Sequence, residues 1–416
     1  MKILVIGSGG REHAIVSALK RSPSAPEVIC SPGNAGIQQD ATCVTLNDIA
    51  RICDYCATHS IDLVVIGPEQ PLVDGLADAL RKVGVPTFGP GAKGAQIEAS
   101  KDFTKKLCDK YNIPTAGYAT FDNQDDALQY LRSQGAPIVV KADGLAAGKG
   151  VTVAMNEEDA KKAIEDCFSG TFGAAGSRVV LEEFLEGEEA SFFALCDGKN
   201  AVAFASAQDH KRAFDGDKGP NTGGMGTYSP TAIITHEIQD RVMHEMILPT
   251  VRGLAAEGIA YVGVLFAGLM LTRNGPKLIE YNARFGDPET QVMLARFTGD
   301  FAQLLHSCAT GRIDPAHMKF SEDSAICVVM AAQGYPGEYT KRSIIRGLDA
   351  ASKHATILHA GTAMKDGEII ANGGRVLNIV ASAGDFESAR SAAYKAVDAI
   401  DWPEGFCRRD IGWRAQ

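Results

Sequence analysis

The sequence has no apolar run near the ~20 residues needed to span a bilayer, and its apolar opening, MKILVIGSGG, passes straight into a charged stretch. That opening reads as a strand rather than a signal peptide, so a cytoplasmic location without a membrane partner is expected. An excess of positive charge is also lacking. Lys and Arg number 41 against 51 Asp and Glu, a formal charge of -10. The basic face that duplex binding requires is therefore missing, and nucleic acid is not expected as a partner, although local cations can still hold a small anion. The ten cysteines form no framework. Cys53 and Cys56, in ARICDYCATH, lack both a following haem histidine and a second pair for zinc, which predicts reduced, buried thiols. Proline is sparse, at 17 against 44 glycines, and no repeat or low-complexity tract occurs. With 45% hydrophobic and 22% charged residues, the composition excludes disorder and fibres. Familiar catalytic signatures are missing too. There is no Gly-x-Ser-x-Gly elbow, and the His236 to His244 stretch contains no His-Glu-x-x-His.

What is present is a long chain with a clear rhythm. Its 416 residues exceed one ordinary core and suggest two to four domains. From Met1 to about Gly94, apolar runs of four to six residues (KILVIG, EVICSPG, DLVVIGPE, PTFGP) end at Gly or Pro and alternate with helical stretches around 14–19, 49–56 and 72–83. These are the marks of buried parallel strands in an open α/β unit. A helix over Lys101 to Tyr111 follows, with Ser100 as N-cap and Asn112-Ile113-Pro114 as its stop. Strands near 117–121 and 137–141, the glycine-rich run DGLAAGKG, strand VTVA and a helix from Glu157 to Phe168 make a compact α+β segment. Two strands flank an acidic turn in VVLEEFLEGEEASFFALCDG, and AVAFASAQD continues the sheet. The polar stretch HKRAFDGDKGPNTGGMGTYSP then reads as a loop of about twenty residues, a length that is usually functional. A helix over about 237–257, the strands VGVLFAGLML and KLIEYNA around RNG, and a smaller closing segment from about Ala325 complete the chain. That segment has short strands and a helix near 387–400. The predicted fold is α/β and α+β multidomain: an open parallel domain over 1–100, a central domain over 101–324 with a flap subdomain at about 115–190, and a small α+β domain over 325–416.

Five segments carry chemistry. GSGGREHA runs from a strand into a helix and offers backbone N–H groups to an anion. Its third fingerprint position is Glu12 rather than glycine, and no acidic residue ends the second strand, so a phosphate is predicted there and not a dinucleotide. In VVKADGLAAGKGV, Lys141 ends a strand while Gly144, Gly148 and Gly150 leave a flap whose amides, with Lys149, can close over phosphates. The lysine precedes the glycines and no Gly-Lys-Ser/Thr ending follows, which suggests a lid rather than a P-loop cradle. In VVLEEFLEGEEAS an extended backbone can bond an adenine edge, Leu185 can pack on the ring, and a carboxylate can accept from ribose hydroxyls. LIEYNARFGDPETQ sets Glu280, Asn282 and Arg284 on one strand face. The first two are hard oxygen ligands suited to Mg²⁺ shared with nucleotide phosphates, and Arg284 can clamp a carboxylate or phosphate. QDHKRAFDGDKGPNTGGMG gathers Asp209, His210, Lys211 and Arg212 beside a second glycine cluster, a composition that fits charge stabilisation of phosphoryl transfer.

In this order, GSGGREHA, PGNAG (Pro32 to Gly36), IGPEQPLVDGLAD, FGP, VVKADGLAAGKGV, EEFLEGEEAS, QDHKRAFDGDKGPNTGGMGTYSP and IEYNARFGDPETQ resemble the phosphoribosylamine–glycine ligase family of the ATP-grasp superfamily over essentially the full length. DHKR and PNTGGMG separate this family from other ATP-grasp enzymes. The resemblance implies an ATP-grasp fold and an ATP-dependent ligation of glycine to 5-phosphoribosylamine through a glycyl phosphate, in purine biosynthesis, with Mg²⁺ or Mn²⁺. It implies an ATP set of Lys101, Lys105, Lys141, Gly144, Gly148, Lys149, Gly150, Glu182, Leu185 and Glu189, and metal ligands Glu280 and Asn282. Catalytic roles fall on Asp209, His210, Lys211 and Arg284. Contacts to the small substrates fall on Gly9, Gly10, Arg11, Asn34, Asn221, Gly223, Gly224 and Asp287. Many ATP-grasp enzymes carry a further carboxylate one strand earlier, where this chain has LFAGLM. A stand-alone, monomeric ligase is expected. Two alternatives are another ATP-grasp carboxylate–amine ligase or carboxylase subunit, and a nucleotide-binding regulator without turnover. The regulator could dispense with Glu280 or Asn282, and both are present.

Overall fold

The computed structural model describes residues 1–145, 150–170 and 173–415. The first segment folds around five parallel strands, in spatial order Thr42–Cys43, Glu27–Pro32, Lys2–Gly7, Leu63–Ile66 and Thr87–Phe88. Both faces of this sheet are covered, as its unbroken apolar runs require. In the strand Lys2–Gly7, Ile3 and Val5 enter one core with Phe193, Phe266 and Phe301, whereas Leu4 and Ile6 enter another with Phe192, Leu265 and Tyr281. Period-2 geometry thus divides neighbouring residues between two cores that join the first segment to the central one. The helix predicted over 72–83 is broken. Glu69–Val73 and Leu76–Lys82 are separate helices because Gly75 adopts φ +87, which no helix interior accepts.

The flap subdomain is a four-stranded antiparallel sheet ordered Tyr118–Phe121, Val179–Glu183, Ile138–Ala142, Val151–Ala154. Helices Gln124–Gln134 and Glu157–Phe168 pack on it through Leu131, Val140, Ile164 and Leu181. Ser100 caps Lys101–Tyr111 by accepting from the Phe103 N–H, and Asn112 ends that helix in the left-handed region.

The largest sheet crosses from the central to the closing segment. Its path runs Gly275–Asn282, Val262–Thr272, Glu188–Asp197, Ala201–Asp209, Gly226–Ser229, Ser324–Ala332, Arg375–Ala383 and Thr356–His359. The two strands around the acidic turn therefore belong to different sheets, Val179–Glu183 to the flap and Glu188–Asp197 to this one. The polar stretch after Asp209 is not a loop. Arg212–Phe214 and Lys218–Asn221 form a hairpin with Gly216 and Asp217 at positive φ in its turn, and Gly226–Ser229 joins the large sheet. The hairpin has no apolar alternation to reveal it because ion pairs to the C-terminal tail hold it. Arg408, with a fully buried side chain, pairs with Asp217 and Asp410, and Arg414 pairs with Asp217. The ten cysteines are all free, with Cys56 buried and Cys53 only partly so. Among the described residues, no helix is long and apolar enough to cross a membrane.

Candidate functional site

A cavity of about 620 Å³ opens where the flap, the large sheet and the first segment meet. Its basic wall is built from two elements. Helix Lys101–Tyr111 presents Lys101 and Lys105 one turn apart, and strand Ile138–Ala142 presents Lys141 from across the gap. Glu182, on the neighbouring flap strand, bridges two of these cations. Its carboxylate lies 3.0 Å from Lys105 Nζ and 2.8 Å from Lys141 Nζ, and all three side chains are 3% exposed. Lys105 also donates to Thr115 Oγ1 at 2.7 Å, Lys141 to the Ile279 carbonyl at 3.2 Å, and Lys101 to the Gly144 carbonyl at 2.9 Å. Burial lowers the Lys101 and Lys105 pKa values, opposed by Glu280 for the first and Glu182 for the second.

Facing these lysines, strand Gly275–Asn282 directs Glu280 and Asn282 into the cavity, two residues apart on one face. Burial pushes the Glu280 pKa up, but Lys211, Lys141 and Lys101 outweigh it and hold the group below its usual value, as a carboxylate. Opposite Asn282 on the adjoining strand is Phe266, which offers no oxygen ligand. Among the described residues no cluster of three or more His, Cys, Asp or Glu suits a metal. The protein thus offers a carboxylate and an amide oxygen, a donor pair that fits a hard divalent ion completing its shell with phosphate oxygens and water. Val139, Val153, Phe184, Leu185 and Met270 line the apolar part.

Arg284 reaches the same cavity, with Nη2 2.7 Å from Glu98 and Nε 3.5 Å from Glu69. Asp209 and Lys211 line it as well, and Lys211 Nζ lies 3.4 Å from Glu189. Burial raises the Asp209 pKa to about 7 against the pull of Lys211, with Glu289 and Glu189 adding to the rise. Burial likewise raises Glu289, whose Oε1 accepts from Ser191 Oγ at 3.1 Å.

A second cavity of about 360 Å³ lies between the first and closing segments. Ser8, Gly9, Gly33 and Asn34 face Gly361, Thr362, Asn372 and Arg375 across it. Asp287, Tyr335 and Arg375 line both cavities.

Of the predicted site residues, Lys101, Lys105, Lys141, Gly144, Gly150, Glu182, Leu185, Glu189, Glu280, Asn282, Arg284, Asp209, Lys211, Arg11, Asn221, Gly223 and Asp287 surround the large cavity. Gly148 and Lys149 lie outside the described residues. Five readings need correction. His210 is fully buried and turned from the cleft. Its Nδ1 faces the Gly226 carbonyl at 3.2 Å and its Nε2 accepts from the Gly412 N–H at 3.1 Å, so it clips the C-terminal tail and has no free nitrogen for chemistry. Gly10 touches neither cavity; a Cβ there would run into the amides of Asn378 and Gln291, which makes it a packing glycine. Gly224 also lies behind the wall, where a Cβ would meet the Pro288 ring. The expected anion site at the first helix is partly filled by the protein itself: Glu12 Oε2 accepts from the Gly9 N–H at 2.6 Å, and Oε1 pairs with Arg11 Nε at 2.6 Å. Asn34 lines the second cavity, but its amide donates to the Ser8 and His359 carbonyls and accepts from the Gly36 and Ile37 N–H groups, so it shapes the wall. Sequence reasoning missed Glu69, Glu98, Glu289, Tyr335 and Arg375. Glu69 and Glu289 stand inside the quoted motifs IGPEQ and GDPETQ, but the other three carry no local signal.

Comparison with known proteins agrees with this architecture. Residues 1–98, 99–290 and 325–414 match the N domain, the ATP-grasp (A) domain and the C domain of phosphoribosylglycinamide synthetase. A phosphoribosylamine–glycine ligase of Rhizobium meliloti is 54% identical over 417 residues, covering 100% of this chain and 99% of the relative. A chloroplastic one of Arabidopsis thaliana is 55% identical, covering 97% and 78%. A crystal structure of a phosphoribosylamine–glycine ligase from Thermotoga maritima superposes with a TM-score of 0.87 at 33% identity, covering 99% of this chain and 100% of that one. A biotin carboxylase from Campylobacter jejuni, solved with a β,γ-ATP ligand, shares the fold at a TM-score of 0.74 and 14% identity, over 98% of this chain and 92% of that one.

Proposed function

The chain belongs to the phosphoribosylamine–glycine ligase family, and from that premise we propose how its two cavities divide the work. The enzyme is an ATP-dependent ligase of purine biosynthesis: ATP, glycine and 5-phosphoribosylamine give ADP, phosphate and glycinamide ribonucleotide. ATP lies in the large cavity, its adenine against Leu185 and Met270 and its phosphates against Lys101, Lys105 and Lys141. Glu182 neutralises two of these lysines. Exchanging that carboxylate for phosphate oxygens costs little charge balance and frees Glu182 for the nucleoside. Glu280 and Asn282 would hold Mg²⁺ or Mn²⁺. When bound, the ion neutralises the charge that develops on the transferred phosphoryl group.

Glycine's carboxylate meets Arg284, and Asp209 and Glu289 face its ammonium. One carboxylate oxygen attacks the γ-phosphorus, the bond to the β-phosphate oxygen breaks, and ADP leaves. Lys211 stands where negative charge is spread, and positioning with charge neutralisation does most of the work. The amine of phosphoribosylamine, held in the smaller cavity beside Gly9 and Asn34, then attacks the glycyl carbonyl. The C–N bond forms, the C–O bond to phosphate breaks with its electron pair on phosphate, and the nitrogen's proton passes to that phosphate. Ten free cysteines fit a reducing compartment, the cytoplasm. A net charge of -10 disfavours nucleic acid as a main partner.

The observation that carries this reading is the facing arrangement of three lysines and the Glu280–Asn282 pair across one cavity. It is tested by mixing protein, Mg-ATP, glycine and freshly made phosphoribosylamine and following ADP. Release should require both acceptors, and ADP release that needs neither would remove the assignment.

A further inference from the structure

The two cavities are not independent. Asp287, Tyr335 and Arg375 belong to the wall of each, and two of these come from the closing segment. Arg375 Nη1 donates to the Asp287 carbonyl at 2.6 Å, to the Gly223 carbonyl at 2.7 Å and to the Gly224 carbonyl at 3.3 Å, while Nη2 sits 3.5 Å from the Asp287 carboxylate. Tyr335 accepts from the Gly223 N–H at 3.2 Å. A Cβ at Gly374 would strike the Tyr335 ring, so the backbone beside Arg375 is shaped to admit that ring. The Asp287 carboxylate is steadied from its other side by Gln291 Nε2 at 2.8 Å.

We propose that Arg375 and Tyr335 are positioning residues for the second half-reaction: they hold the Gly223–Gly224 turn and Asp287 as the portal through which the amine in the smaller cavity reaches the activated glycine in the larger one. The inference rests on the function proposed above. Three carbonyls on two separate loops converge on one guanidinium, whose rigid planar fork fixes their spacing as an ammonium would not. Without it the turn and Asp287 are free to separate, and the activated acyl group faces water in place of the amine. Glycine activation needs only the large cavity and should survive.

The test measures product formed per ADP released, together with the KM of each substrate, in Arg375→Ala, Arg375→Lys and Tyr335→Phe. Wild type should form one glycinamide ribonucleotide per ADP; if it forms none, the proposed function itself fails and this inference with it. In Arg375→Ala, KM for phosphoribosylamine should rise roughly tenfold or more and the product-to-ADP ratio should fall below about one half, with KM for ATP within about twofold of wild type. Arg375→Lys and Tyr335→Phe should show the same loss of coupling to a smaller degree, and they decide the matter if the alanine variant does not fold. A ratio that stays at one in all folded variants, with every rate reduced in proportion, would mean that these residues only support the fold and would overturn the proposal.

Discussion

Replacing Glu280 by alanine is the most informative single perturbation of the nucleotide cleft. This carboxylate stands in the field of Lys211, Lys141 and Lys101, which keep its pKa below the usual value in spite of burial. Loss of the carboxylate removes one of the two protein ligands proposed for the divalent ion, and it leaves these three lysines with one counter-charge fewer. Those cations still attract the triphosphate, so KM for ATP should change little. The ion that spreads the charge of phosphoryl transfer is lost, so kcat should fall by about 10²- to 10³-fold, or roughly 3 to 4 kcal/mol, the scale of deleting one charge-stabilising group. The assay is ADP release against Mg²⁺ or Mn²⁺ concentration, with a parallel thermal melt to confirm folding. Glu280→Gln keeps the volume and should show a similar fall, partly recovered at high metal. A near-wild-type rate with an unchanged metal requirement would refute the reasoning.

The remaining predictions concern the clamp behind the site. His210 is held neutral, its pKa lowered to about 4 first by burial and then by Arg408. With the folded value below the ordinary 6.5, the contribution to stability is complete above that pH and is lost as pH falls from 6.5 toward 4. Urea denaturation should lose up to roughly 3 kcal/mol across that window, and His210→Gln should flatten the dependence. Arg408→Ala leaves Asp217 and Asp410 without their buried partner; it should cost about 3 kcal/mol, read by thermal or urea unfolding. Gly10→Ala should destabilise by about 1 to 3 kcal/mol through overpacking against Asn378 and Gln291, without changing KM for ATP.

Much of the cleft was legible because its residues repeat a local grammar. Glu280 and Asn282 announce one strand face by spacing alone, although the strand ends at Asn282 and Arg284 reaches the cavity from the bend after it. Four of the first five strands were readable because their burial writes an apolar run into the sequence, whereas the edge strand Thr42–Cys43 is two residues long, lies partly exposed and carries no such run. The hairpin at Arg212–Phe214 and Lys218–Asn221 was not readable. Its stability comes from Arg408 and Arg414, nearly two hundred residues away, so no periodicity marks it. The same distance hid the purpose of His210, whose position in DHKR invites a catalytic role until Gly412 is seen on its second nitrogen. Arg375 and Tyr335 were invisible for a similar reason. A residue that joins two cavities is defined by what folds against it, and the large sheet that brings the closing segment to the cleft is a long-range pairing of Gly226–Ser229 with Ser324–Ala332.

The account turns on direct transfer of a glycine oxygen to phosphorus. With glycine labelled with ¹⁸O in both carboxylate positions, Mg-ATP and phosphoribosylamine, each inorganic phosphate released should carry one ¹⁸O and the amide product should retain the other. Unlabelled phosphate, formed at the same rate as glycinamide ribonucleotide, would contradict the account.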